Sequence, residues 1–90
     1  MNTALIRNAV DILKTYGVNE VYIFGSQADN TATEKSDLDI AVKGLPDKIF
    51  YRAGGELMMK LNLSVDLIDL NDDNPFTRHL INSGELVRVN

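Results

Sequence analysis

A single α+β domain over residues 1–90, with a small mixed or antiparallel sheet and helices packed on one side of it, is the fold class this sequence predicts. Three observations carry it. Apolar residues recur at helical spacing in two long stretches, 3–16 and 47–61. Short runs rich in β-branched and aromatic residues stand between and after them, at 21–24, 36–42 and 64–70. The first two of those runs are too close for a parallel return, which needs a longer crossover, so they pair antiparallel.

Each element has its own warrant. Leu5, Ile6, Ala9, Val10, Leu13 and Tyr16 line one face of the first helix; Asn2 or Thr3 can cap it, and Gly17 stands where a helix-ending glycine belongs. Val21-Tyr22-Ile23-Phe24 is strand one, with Gly25-Ser26 directly behind it. The segment 27–35 is polar, with room for a short helical turn at its start. Ser36 to Val42 is strand two. Gly44-Leu45-Pro46 turns the chain into the second helix, Asp47 to Leu61, whose apolar face is Ile49, Phe50, Ala53, Leu57, Met58 and Leu61. Gly54-Gly55 in its middle costs helix stability, about 1 kcal/mol per glycine. Ser64 to Leu70 is strand three. Asn74 then caps, Pro75 takes the first helical position, and Gly84 closes a short helix carrying Phe76, Leu80 and Ile81. Leu86 to Val89 is an edge strand. The whole order is α-β-β-α-β-α-β.

Composition narrows the function. The 90 residues are 44% hydrophobic and 24% charged, a globular profile. Without a cysteine there is no disulfide scaffold and no thiolate metal site, which fits a reducing cytoplasm. No stretch is apolar enough to span a membrane, and the N-terminus has no signal-type apolar core. The net charge is −4 and the pI about 4.7, so a nucleic-acid polymer, whose phosphates demand a basic patch, is not the expected partner. A small anionic ligand is compatible with that charge if a metal ion compensates it.

The chemistry concentrates between Phe24 and Val42. A glycine at the end of a strand lets backbone N–H groups approach an anion, and Ser26 adds a hydroxyl donor. Asp37 and Asp39 alternate with Leu38, Ile40 and Val42, so the two carboxylates share one face of strand two. Same-face neighbours lie roughly 6.5–7 Å apart, close enough to converge on a divalent cation. Oxygen-only ligands suit Mg²⁺ or Mn²⁺, not zinc. Alone, a pair of this kind is more often two solvated acids. A third carboxylate on strand three strengthens the case: Asp66 is favoured because it starts a run of apolar residues, while Asp69 opens the acidic loop that follows. Three acids around a divalent ion can bind a nucleoside triphosphate, with the third orienting or deprotonating an incoming hydroxyl.

Gly25-Ser26-x-Ala28 followed by Ser36-Asp37-x-Asp39-Ile40 resembles the GSxARG…SDxDL signature of the minimal nucleotidyltransferases of the DNA polymerase β superfamily. The likeness covers nearly the whole chain. It implies a polymerase-β-like core, Mg²⁺ and ATP. It also implies a partner: many members are antitoxins that adenylylate a tyrosine of a HEPN-domain toxin encoded beside them. By the same resemblance Gly25 and Ser26 hold the triphosphate, Asp37 and Asp39 bind metal, and Asp66 is the third carboxylate and base. The sequence departs from the signature at Gln27, where an arginine is common, and at Asn30, where a glycine is common. The missing arginine removes a phosphate contact.

Other side chains read as structural. His79 belongs to the surface, Met58 to the core, and Tyr22 and Tyr51 to part-buried positions. Two functions stay open: an active transferase, or a catalytically weak module that neutralises its partner by binding. The intact acid trio favours the first and Gln27 the second. So short a chain has no separate acceptor domain, so a partner, in a homodimer or a hetero-oligomer, must supply the acceptor site.

Overall fold

The computed structural model describes residues 2–29, 31 and 37–90. Helix α1 (Thr3–Lys14) is followed by strand β1 (Glu20–Phe24), a single 3-10 turn (Gly25–Gln27) and strand β2 (Leu38–Lys43). Then come helix α2 (Asp47–Leu61), strand β3 (Val65–Asp69), helix α3 (Pro75–Ser83) and the two-residue strand β4 (Val87–Arg88). The sheet order is β3-β2-β1-β4. β1 is antiparallel to both β2 and β4, whereas β2 and β3 run parallel, with α2 as the crossover between them. The sheet is therefore mixed, as expected. Ser36, expected at the start of β2, and Asn30 lie outside the described residues.

Local chemistry accounts for the helix ends. Asn2 Oδ1 accepts a hydrogen bond from the Leu5 amide at 3.1 Å, and Gly17, in the left-handed region at φ +80°, turns the chain away from α1. α2 passes through Gly54-Gly55 without a break. Ala53 and Leu57, on either side of that pair, are fully buried, and packing of that kind outweighs a propensity cost of about 1 kcal/mol per glycine. Asn62 ends α2 in the left-handed conformation. α3 starts with a capping box: Asn74 Oδ1 accepts from the Thr77 amide at 2.9 Å, and Thr77 Oγ1 accepts from the Asn74 amide at 3.2 Å.

The alternation of the strands builds two apolar layers. Val21, Ile23, Leu38, Ile40 and Val42 face α1 and α2, where they meet Ile6, Val10, Leu13, Ala53 and Leu57. The Tyr16 hydroxyl donates to Glu56 Oε1 at 2.7 Å and ties α1 to α2. On the reverse face Phe24 and Ala41 pack with Leu70 and with Leu80 of α3. The expectation of helices on one side holds for the two long helices; the short third one covers part of the other face. The reason is that Tyr22, Phe24, Ala41 and Ile68 make that face apolar as well, and it needs a lid.

Two side chains differ from expectation. Met58 is exposed, because the inward stripe of α2 is centred on Ala53 and Leu57 and Met58 lies one residue, about 100°, around the helix. Tyr51, two residues before Ala53, is turned farther out still, at 88% exposure. Tyr22 is half-buried and His79 exposed, as read from the sequence.

Candidate active site

One end of the sheet collects the end of β1 and the starts of β2, β3 and β4. Gly25 leaves β1 there with φ +69°. That conformation favours glycine, and the space enforces it too: a Cβ on Gly25 would run into Asp39 Oδ2 and stand 3.3 Å from Asp39 Cγ. The Gly25-Ser26 turn and the Asp39 carboxylate are thus in direct apposition. Within the turn the carbonyls are engaged: Gly25 O accepts from the Ala28 and Asp29 amides, and Ser26 O from the Thr31 amide at 3.0 Å. The N–H groups at the start of such a turn are those a helix leaves without internal partners.

Asp39 is the centre of the site. In the sheet register it stands opposite Phe24 of β1 on one side and Asp66 of β3 on the other. Neighbouring strands lie roughly 4.7–4.9 Å apart, so Asp39 and Asp66 are side by side on one face. Asp37, just before β2, is exposed, as is Asp66, while Asp39 is half-buried. Burial pushes the Asp39 carboxyl above the ordinary carboxylate range, and the negative charges of Asp66 and Asp37 push it further. All five residues singled out in the sequence, Gly25, Ser26, Asp37, Asp39 and Asp66, meet at this end of the sheet.

Asp69 is elsewhere. It pairs with Val42, three positions along the strand, is 5% exposed, and accepts from the Asn71 amide at 2.9 Å. With Asp47, Phe50, Tyr51 and Asp72 it lines a cavity of about 250 Å³. Geometry therefore favours Asp66 over Asp69 as companion of Asp39.

A hard divalent ion fits this donor set in chemistry. The oxygens are of the right kind, and a cation would offset the burial and the neighbouring charges that raise Asp39. Among the described residues no group of three His, Cys, Asp or Glu side chains is gathered closely enough to hold a metal ion by itself. Mg²⁺ ordinarily takes one or two carboxylates and completes its shell with water and substrate phosphates, which an open acid pair can serve.

Two features of the site escaped the sequence reading. Gln27 is buried, at 5% exposure, inside the turn rather than offered to a phosphate. Phe76 of α3 is half-exposed and packs edge-to-face on Phe24, with ring centroids 6.2 Å apart and planes at 65°. The sequence placed Phe76 on the apolar side of α3. Nothing in the spacing of a nine-residue helix says that its first turn abuts the register partner of Asp39.

Comparison with known proteins bears on the family and the fold. The family model described as polymerase beta, nucleotidyltransferase matches residues 7–89. Over 68 residues the chain is 41% identical to a Methanocaldococcus jannaschii protein provisionally named a protein adenylyltransferase, covering 71% of this chain and 69% of that one. A toxin–antitoxin crystal structure with AMP-PNP superposes with a TM-score of 0.76 at 24% identity, covering 98% of this chain and 72% of that chain. The complex of a tri-AMPylated Shewanella oneidensis HEPN toxin with its MNT antitoxin gives a TM-score of 0.74 at 20% identity, covering 98% and 71%. At those identities the two structures speak for the fold. Among the described residues no helix is long and apolar enough to cross a membrane.

Proposed function

The chain belongs to the polymerase β nucleotidyltransferase family, and from that premise we propose that it transfers AMP from ATP to a hydroxyl of a partner protein. The partner is a HEPN-domain toxin, the acceptor a tyrosine, and the chain its antitoxin. The observation that carries the reading is the apposition of the Gly25-Ser26 turn, Asp39 and Asp66 at one sheet end. Relatives named for protein adenylylation and for an AMPylated toxin support the donor and the partner.

In this reading the N–H groups of the Gly25-Ser26 turn and the Ser26 hydroxyl hold phosphate oxygens of the triphosphate. Asp37, Asp39 and Asp66 would hold the divalent ion, Mg²⁺ or in its place Mn²⁺. When bound, the ion neutralises charge on the phosphates as the reaction proceeds. The acceptor oxygen attacks the α-phosphorus in line, the bond from that phosphorus to the bridging oxygen breaks, and pyrophosphate leaves. Asp66, exposed beside Asp39, takes the proton of the attacking hydroxyl. Asp39, half-buried and apposed to Gly25, would be a ligand of that ion beside the phosphate turn. In this reading the acceptor hydroxyl is the partner's.

The test is incubation with a HEPN-domain toxin as candidate partner, Mg²⁺ and labelled ATP, next to an Asp37→Ala/Asp39→Ala control. AMP-sized mass additions on the partner that vanish in the control establish the transfer. A stable complex without transfer refutes it and favours the second reading, a binding module with weak catalysis. The observation on that side is Gln27, buried where the family often carries an arginine.

A further inference from the structure

Resting on the nucleotide reading above, we propose that Phe76 stacks on the base of the bound nucleoside triphosphate and makes binding depend on the base as well as on the phosphates. Phe76 is a large aromatic side chain left 48% exposed in a small protein. Among the described residues its one aromatic partner is Phe24, and the T-shaped contact between them fixes the ring without covering both of its faces. Phe24 is the register partner of Asp39, and Asp39 that of Asp66. Phe76 therefore flanks the carboxylates on the sheet face they occupy.

The platform is also held still. Phe76 is the second residue of α3, between the capping residue Asn74 and Thr77. Thr77 is 2% exposed, and its hydroxyl donates to the Asp72 carbonyl at 2.6 Å while accepting from the Asn74 amide. An aromatic ring on a locked first turn loses little freedom when a base settles on it. Other aromatic rings are worse placed. Tyr22 stands opposite Ala41, farther from the acid end, with its hydroxyl donating to Glu20 Oε1 at 2.6 Å. Tyr51 is on α2, on the other side of the sheet. Stacking of this kind needs no hydrogen-bond code, because every base has a π-face, and loss of one such contact weakens binding by roughly fivefold to a hundredfold.

The test is calorimetric titration of the intact chain, in Mg²⁺, with ATP and with inorganic triphosphate, which has no base. In Phe76→Ala the affinity for ATP should fall by roughly fivefold to a hundredfold while that for triphosphate stays unchanged. Phe76→Tyr should restore ATP binding. Phe76→Leu keeps apolar bulk on the helix without a π-system; it should behave like Phe76→Ala toward ATP and guards against an alanine variant that unfolds. Equal losses for both ligands would mean that Phe76 acts only through the fold, and no loss for either would mean it does not act; each overturns the inference. Wild-type binding of ATP no tighter than triphosphate overturns it too, with the nucleotide reading intact. Binding of neither ligand by the wild type overturns both.

Discussion

Gly25→Ala separates the two demands made on this position. An alanine in the left-handed region costs about 1–2 kcal/mol of stability relative to its preferred backbone, and Gly25 has φ +69°. Gly17 provides the matching control, since it has φ +80° with nothing within 4 Å of an added Cβ. Gly17→Ala should therefore bear the backbone cost alone. For a domain of this size that is a fall in Tm of about 4–16 °C. Gly25→Ala bears the same cost and, in addition, presses its Cβ on the Asp39 carboxylate, which must give way by about an ångström to reach ordinary contact. A misplacement of that size at a reacting centre costs on the order of a hundredfold in rate. The assay is AMP transfer to the partner protein, run well below the Tm of both variants. The expected result is a Gly17→Ala rate near wild type and a Gly25→Ala rate lower by about two orders of magnitude. A Gly25→Ala rate within about threefold of the Gly17→Ala rate would refute the argument that Asp39 must sit against a bare backbone to work.

Asp39→Asn should be more stable than wild type at neutral pH and inactive in transfer. Asp39 has its folded pKa raised above the ordinary 3.8 by burial and by Asp66 and Asp37, so its contribution to stability is complete below about 3.8 and is lost as the pH rises through the raised value. Melting curves should show the gap between variant and wild type closing as the pH falls toward 4, and closing again at neutral pH on addition of Mg²⁺, which stabilises only the wild type. Asn74→Ala removes the capping box of α3 and should cost about 1 kcal/mol, a fall in Tm of about 4–8 °C by differential scanning calorimetry. Leu57→Ala leaves a cavity under α2, where the side chain is fully buried, and should cost about 2–5 kcal/mol in urea denaturation with an unchanged m-value.

The elements of this fold were legible in the sequence because each carries a local signal. The i, i+3, i+4, i+7 spacing of Ile6, Ala9, Val10 and Leu13 and the caps at Asn2 and Asn74-Pro75 need nothing from the rest of the chain. The alternation of Asp37 and Asp39 with Leu38, Ile40 and Val42 is equally local, because the pleat decides it. The same holds for the glycine at position 25: a strand that stops at Gly-Ser marks a turn.

Contact between elements was decided only in three dimensions. Sequence placed Asp66 and Asp69 on opposite faces of β3 and favoured Asp66 on local composition, but the contact with Asp39 could not be read from it. That depends on β3 lying beside β2 in parallel, so that the two strand starts coincide and Asp66 falls opposite Asp39. An antiparallel pairing would have carried Asp66 to the far end of β2. The collision between a Cβ at position 25 and the Asp39 carboxylate, the burial of Gln27 and the edge-to-face packing of Phe76 on Phe24 have the same origin. Periodicity ranks residues by face within one element, whereas register and packing across the sheet set which faces meet, and no spacing along the chain encodes that.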